Sequence, residues 1–136
     1  MTMHAKGEFD VKLAPQDDKA VDSASGSPIG RMLIDKQFHG DLEAVSKGQM
    51  LAVMSQVQGS GVYVAVEKVT GTLQGRKGSF FLHHSGVMTR GVPQLTVTVV
   101  PDSGTEELEG LSGTLQIIVA DGKHSYEFEY AINKTS

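Results

Sequence analysis

The feature that most constrains the fold of this chain is the alternation of apolar and polar residues in short segments. In the segment "HAKGEFDVKL", Phe9, Val11 and Leu13 alternate with charged residues, which is the period of a β-strand with one buried face. Glycine occurs 16 times, often between such segments, and apolar residues rarely recur at helical spacing. The sequence therefore predicts an all-β protein whose strands are joined by glycine-containing turns.

Seven further segments of this kind bring the predicted number of strands to eight. They are "GRMLIDKQFHG", "LEAVSKGQMLAVMSQ", "GVYVAVEKVTGTL", "KGSFFLHHSGVMT", "VPQLTVTVVP", "LSGTLQIIVAD" and "KHSYEFEYAIN". In three places Gly-x-Leu is followed by a turn, a glycine and a new strand, as in consecutive β-hairpins. Consecutive hairpins form a meander, and closing the meander removes exposed sheet edges. We therefore predict a closed eight-stranded antiparallel meander barrel rather than an open sandwich.

The length of the chain predicts one domain, residues 1–136, formed by this barrel. A chain of this size buries roughly two thirds of its unfolded surface, which is enough for a hydrophobic core. Residues 14–29, "APQDDKAVDSASGSPI", are rich in Pro, Asp, Ser and Gly and show no apolar period. They are predicted to form a long, mobile loop after the first strand.

Composition excludes several classes of function. The net charge is −4 and the 12 Lys and Arg residues are scattered singly, so no nucleic-acid partner is expected. The absence of cysteine excludes disulfides, thiolate metal sites and cysteine nucleophiles. No stretch of about 18 apolar residues or signal-peptide pattern occurs, so we expect no membrane partner and a cytoplasmic location.

Four long segments resemble a bacterial family known only as a domain of unknown function. They are "IDKQFHGDLEAVSKGQML", "YVAVEKVTGTLQGRKGSFFLHHSGVMTRG", "LTVTVVPDSGTEELEGLSGTL" and "HSYEFEY". The resemblance implies an eight-stranded meander barrel like that of plant allene oxide cyclase, broadly calycin-like, and no established activity. The positions that match the family are His39, Gly40, Asp41, Glu67, Gly71, His84, Gly86, Pro101, Ser103, Gly104, His124, Tyr126, Glu129 and Tyr130.

Adjacent residues of a strand point to opposite faces, so His83 and His84 cannot both enter the barrel or share a metal ion without a bulge. His84 shares its face with Phe80 and Leu82 and is predicted to point inward, with His83 outward. The same argument places His124, Tyr126 and Tyr130 inside the barrel. In "VYVAVEKV" both faces are apolar, so either Tyr63 and Glu67 or Val64 and Lys68 face inward.

The inward polar side chains are the candidate ligand-binding residues. They are His84, Glu67, Tyr63, Tyr126, Tyr130 and His124. Catalytic residues are not assigned. The five histidines are dispersed and form no H-x-H or H-E-x-x-H pattern, so we predict no metal site, and we predict no cofactor.

Three functions remain open at this point. An eight-stranded barrel can hold one small apolar ligand, with its inward polar groups as anchors. It can also be a cofactor-free isomerase or cyclase of an apolar substrate, in which Glu67 or His84 transfers a proton. The third alternative is a filled barrel that acts as a structural protein and assembles as a homo-oligomer.

Overall fold

The structure, a computed structural model, describes residues 2–16 and 29–133 and is built almost entirely of β-strands. The strands are β1 (Met3–Pro15), β2 (Gly30–Gly40), β3 (Leu42–Met54), β4 (Gly61–Leu73), β5 (Arg76–Thr89), β6 (Val92–Val99), β7 (Leu111–Ala120) and β8 (Lys123–Ile132). A single turn of 3₁₀ helix at Glu106–Leu108 lies between β6 and β7. The prediction of an all-β chain with eight strands is confirmed.

The strands close into one antiparallel barrel in the order of the sequence. Each strand pairs with the next, as in the register Phe9↔Phe38 between β1 and β2. Strand β8 returns to β1, with Ala5 opposite Phe128, and this pairing closes the barrel. The predicted closed meander is therefore confirmed.

The start of the predicted long loop is wrong by two residues. Ala14 and Pro15 belong to β1, where they pair with Leu33 and Met32 of β2. Pro15 lies in the part of β1 that does not pair with β8, where a missing N–H group is tolerated as on an edge strand. The central part of the predicted loop, residues 17–28, lies outside the described residues.

Tight two-residue turns set the register of the hairpins. Gln74 and Gly75 join β4 to β5 with φ angles of 46° and 88°, and Asp121 and Gly122 join β7 to β8 with 53° and 75°. Positive φ at both positions is typical of a type I′ turn, whose twist matches that of antiparallel strands and which favours glycine. These turns fix the pairing of the two strands, so that inward residues of one strand lie opposite inward residues of the next.

One end of the barrel, here called the closed end, holds the hydrophobic core. It lies where β1, β3, β5 and β7 begin, and Leu108 of the 3₁₀ helix covers it. The helix is held against β5, since the Thr105 N–H group donates to the Ser79 carbonyl at 2.9 Å. The largest buried apolar side chains are Phe38, Leu42, Leu73, Phe80, Leu82, Leu108, Tyr126, Phe128 and Tyr130.

The opposite end of the barrel, here called the open end, is not packed in this way. Inward positions of β3, β5 and β6 stay accessible there, with Met54 56% exposed, Met88 41% and Leu95 44%. Among the described residues, the barrel therefore has a packed half at the closed end and a more accessible half at the open end.

Candidate functional site

Four polar side chains are buried inside the barrel between its two halves. Lys36, Ser46, Glu67 and His84 lie on β2, β3, β4 and β5, and each is at most 7% exposed. These four residues form what we call the polar cluster. Buried charged groups of this kind are rare unless they are paired, so the contacts within the cluster must compensate for lost hydration.

Glu67 is the centre of the polar cluster and binds the other three residues. The Ser46 hydroxyl donates to Glu67 Oε1 at 2.6 Å. Lys36 Nζ donates to Glu67 Oε2 at 2.9 Å, and His84 Nε2 bonds the same oxygen. Both carboxylate oxygens are thus occupied by protein donors.

The contacts of Glu67 keep it ionised. Burial by itself raises the pKa of this carboxyl, but the hydrogen bond from His84 and the positive charge of Lys36 outweigh burial and lower the pKa from 4.5 to about 2. An ionised carboxylate can only accept hydrogen bonds, so the hydrogen of the shared contact resides on His84 Nε2. The cluster consequently fixes the tautomer and the orientation of the His84 ring.

Lys36 is held by aromatic rings as well as by Glu67. Its Nζ atom lies 5.2 Å from the centroid of the Phe9 ring and 5.8 Å from that of Phe38. Such distances are typical of a cation–π contact, which stabilises a desolvated ammonium group. The lysine therefore joins the polar cluster to the packed closed end.

Tyr63 lies next to the polar cluster on the side of the open end. Its ring centroid is 6.3 Å from that of His84. Glu67 lies four residues further along β4, on the same face of the strand. Burial raises the pKa of Tyr63, and the negative charge of Glu67 raises it further. Tyr63 is therefore a neutral hydroxyl at neutral pH.

A cavity of about 310 Å³, here called the mouth pocket, begins at Tyr63 and opens at the end of the barrel. It is formed by the ends of β3, β4, β5 and β6, and all its other lining side chains except that of Gln94 are apolar or glycine. The lining residues are Met50, Ala52, Met54, Gly61, Val62, Tyr63, Gly86, Val87, Met88, Pro93, Gln94 and Leu95.

Two glycines make this arrangement possible. A Cβ atom at Gly48 would lie 2.7 Å from Glu67 Cβ, and one at Gly86 would lie 2.3 Å from Cε1 of the Tyr63 ring. Gly48 therefore leaves room for Glu67 to enter the cluster. Gly86, opposite Tyr63 in the β4–β5 register, lets the Tyr63 ring lie against the barrel wall.

The comparison with known protein families matches nearly the whole barrel. A family model described as "Protein of unknown function (DUF3224)" covers residues 5–130. The chain belongs to this family. The resemblance to a domain of unknown function that the sequence predicted is confirmed, whereas the calycin-like relationship stays a prediction.

A solved member of the DUF3224 family has the same fold. It is a protein of unknown function from Shewanella oneidensis MR-1, 47% identical in sequence, with a TM-score of 0.92. The match covers 99% of this chain and 100% of that one. No curated protein matches the chain.

The structure settles the face of β4 that the sequence left open. Tyr63 and Glu67 point inward, whereas Val64 and Lys68 are exposed on the outer surface. His84 is buried and His83 is exposed, as predicted. Three of the six candidate residues, Tyr63, Glu67 and His84, therefore lie close together inside the barrel, and of these Tyr63 lines the mouth pocket.

The other three candidates lie elsewhere in the DUF3224 barrel. The Tyr126 hydroxyl accepts from the Leu42 N–H at 2.9 Å and donates to the His39 carbonyl at 2.9 Å, which secures the β2–β3 connection at the closed end. The Tyr130 hydroxyl bonds the side chain of Gln74 at the same end. His124 packs on Phe9, with ring centroids 5.3 Å apart. Ligand binding by these three residues stays a prediction.

Lys36 and Ser46 are the members of the cluster that sequence reasoning missed. Lys36 lies between Ile34 and Phe38 in strict alternation on β2, and Ser46 follows Ala44 in the same way on β3. The alternation of inward and outward residues on β2 and β3 therefore indicates that both side chains face the interior of the barrel. For Lys36 this signal is weak by itself, because lysine is almost never fully buried without a partner.

Neither a cluster of metal ligands nor a membrane-spanning helix occurs in the described part of the chain. Residues 2–16 and 29–133 contain no group of three or more His, Cys, Asp or Glu side chains placed to hold a metal ion. The same residues form no helix that is long and apolar enough to span a membrane.

Proposed function

We propose that this protein binds a small apolar molecule in the mouth pocket. The observation that supports the proposal is the pocket itself, a cavity of about 310 Å³ whose described lining is almost wholly apolar and whose residue Tyr63 lies next to the polar cluster. Ligand pockets commonly have volumes of about 300–1,000 Å³ and combine apolar walls with a few polar groups. The pocket lies at the lower end of this range and suits a compact ligand.

The methionines of the pocket support the same function. Met50, Met54 and Met88 contribute to the lining, so half of the six methionines of the chain surround one cavity. Methionine side chains are unbranched and polarizable, and they adapt to ligands of different shape. A wall of this kind favours shape-tolerant binding of apolar molecules.

Proton transfer by Glu67 is less well supported than ligand binding. A general base works best with a pKa near the working pH, whereas the pKa of Glu67 is lowered to about 2. Both of its oxygens are also occupied by Lys36, Ser46 and His84. Glu67 therefore acts in this proposal as the fixed anion of the polar cluster next to Tyr63.

The proposal is tested by nuclear magnetic resonance of protein labelled with ¹³C in the methionine methyl groups. Isopropylbenzene is the probe, since it is compact and carries no polar group. We expect it to shift the methyl signals of Met50, Met54 and Met88, and to leave that of Met3, at the beginning of β1, unchanged. Equal shifts of all methionines, or none in the pocket, would contradict the proposal.

A pair of phenylalanine substitutions on β3 provides the matched control. Ala52→Phe places a large side chain in the wall of the mouth pocket and should abolish the isopropylbenzene shifts. Leu51→Phe adds a ring at the neighbouring position, which is 46% exposed and outside the pocket lining, and should leave binding intact. If both variants bind the probe equally well, the ligand site lies elsewhere.

A further inference from the structure

The Tyr63 hydroxyl is a hydrogen-bond donor without an acceptor in the described part of the chain. It has no hydrogen-bond partner among residues 2–16 and 29–133, in contrast to the hydroxyls of Tyr126 and Tyr130. Within the same residues, every fully buried side-chain nitrogen or oxygen has a partner. The Tyr63 hydroxyl must therefore be accessible, and Tyr63 lines the mouth pocket.

The rest of the pocket offers a ligand little besides apolar contact. Among the described lining residues, the one other polar side chain is Gln94, which is exposed, and its neighbours Pro93 and Leu95 alternate with it along β6. An oxygen atom that enters the pocket would lose its hydration unless it meets a donor, and such a loss costs several kcal/mol in apolar surroundings. Tyr63 is placed to supply that donor.

We infer that the preferred ligand of the mouth pocket is a neutral, mainly apolar molecule with one carbonyl oxygen, which accepts a hydrogen bond from the Tyr63 hydroxyl. This inference rests on the proposed function and specifies its ligand class. At about 30 Å³ for each non-hydrogen atom, the volume that a water molecule occupies in the liquid, the cavity of about 310 Å³ accommodates roughly ten such atoms.

The mouth pocket favours a neutral ligand over a carboxylate, because no described residue of its lining carries a positive charge. Tyr63 lies within the field of the ionised Glu67, whose negative charge disfavours a second negative charge at the Tyr63 hydroxyl. A carboxylate bound to Tyr63 would meet the same repulsion. The positive charge of Lys36 is already directed to Glu67 at 2.9 Å, and Lys36 is not part of the pocket lining.

The test compares three probes of nearly equal size in the methionine-labelled protein. Acetophenone presents a carbonyl oxygen, isopropylbenzene replaces that oxygen by a methyl group, and benzoate replaces the methyl group of acetophenone by a charged oxygen. Dissociation constants are measured from the Met50, Met54 and Met88 signals for the wild type and for Tyr63→Phe. This variant keeps the ring against Gly86 and removes only the hydroxyl.

We expect Tyr63→Phe to weaken acetophenone binding about three- to tenfold, as for the loss of one hydrogen bond, and to change isopropylbenzene binding less than about twofold. Benzoate should bind the wild type more weakly than acetophenone. An unchanged acetophenone affinity in Tyr63→Phe, or an equal loss for both neutral probes, would overturn the role of Tyr63 and leave the proposed function intact. Benzoate binding as tight as that of acetophenone would overturn the preference for a neutral carbonyl. If acetophenone and isopropylbenzene both fail to shift the pocket signals of the wild type, the proposed function itself is wrong.

Discussion

Replacing Glu67 by glutamine tests whether the polar cluster is an ion pair that depends on the Glu67 charge. Glutamine has nearly the same shape as glutamate and still provides an acceptor for Ser46. It leaves Lys36, which is 7% exposed, without an anion. Removing one partner of a buried ion pair costs about 3–5 kcal/mol, because the remaining charge stays buried.

The pKa of Glu67 gives a second figure for the same interaction. A fall from 4.5 to about 2 corresponds to about 3 kcal/mol of folding stability at neutral pH. The side chain of Glu67 is 0% exposed, so screening by solvent takes little from this value. The free energy from the pKa shift agrees with the cost of removing one partner of a buried ion pair. Glu67→Gln should therefore lower the free energy of unfolding by about 3–5 kcal/mol at pH 7.

The sign of the pH dependence follows from the direction of the shift. Because the pKa of Glu67 is lower in the folded protein, the stabilisation is fully present well above pH 4.5 and is lost as the pH falls toward 2. About 2 kcal/mol of it should be gone by pH 3. The glutamine variant has no such group at this position, so the difference in stability between wild type and variant should narrow on acidification.

Urea unfolding followed by far-ultraviolet circular dichroism measures these differences, since the chain contains no tryptophan for fluorescence. Glu127→Gln, at an exposed position of β8, is the matched control and should change stability by less than about 0.5 kcal/mol. Adding Lys36→Met to Glu67→Gln should restore part of the loss, because the unpaired charge is removed. A loss below about 1 kcal/mol at pH 7, or the same loss at pH 7 and pH 3, would refute the ion-pair argument.

Two further substitutions test the closed end and the wall of the pocket. Tyr126→Phe removes the hydroxyl that bonds Leu42 and His39. The substitution should lower the free energy of unfolding by about 1–3 kcal/mol, measured by the same urea titration. A change below about 0.5 kcal/mol would show that these hydrogen bonds do not stabilise the closed end. Gly86→Ala places a Cβ atom 2.3 Å from the Tyr63 ring, so the ring must move. It should cost about 1–3 kcal/mol and shift the Tyr63 ring signals, and unchanged signals would show that the wall has more room than the structure indicates.

The fold was predictable because its signals are local. Alternation along β1 and the two-residue turns at Gln74–Gly75 and Asp121–Gly122 each act within a few residues, and together they specify a meander. The face of β4 could not be predicted in this way. Val64 is 43% exposed and Val66 is 49% exposed, so the outer face of this strand is as apolar as the inner one. The alternation of side chains therefore does not indicate which face is buried. Assembly as a homo-oligomer, which the sequence led us to expect, stays a prediction.

The candidate site was only partly predictable because its contacts join residues far apart in the sequence. Lys36 and Glu67 are separated by 31 positions, and Ser46 and Glu67 by 21. An isolated lysine at an inward position is unfavourable, so the alternation of β2 alone gave too little reason to bury Lys36. Only the pairing of β2 with β3 and of β3 with β4 brings the partner carboxylate to it. The register of three strands, rather than any motif, creates the cluster.

The same inward positions explain why the pocket forms at one end of the barrel and not at the other. Towards the closed end, the inward residues Leu42, Leu73 and Phe80 belong to one buried cluster that Phe128 of β8 and Leu108 of the 3₁₀ helix complete. Towards the open end, the corresponding positions include Ala52, Gly61 and Gly86, which cannot fill the interior of an eight-stranded barrel. The polar cluster separates these two regions, and its ion pair lets a charged layer exist beside the packed core. The cavity and the polar cluster both depend on glycines at inward positions of neighbouring strands, because Gly48 leaves room for Glu67 and Gly86 leaves room for the Tyr63 ring.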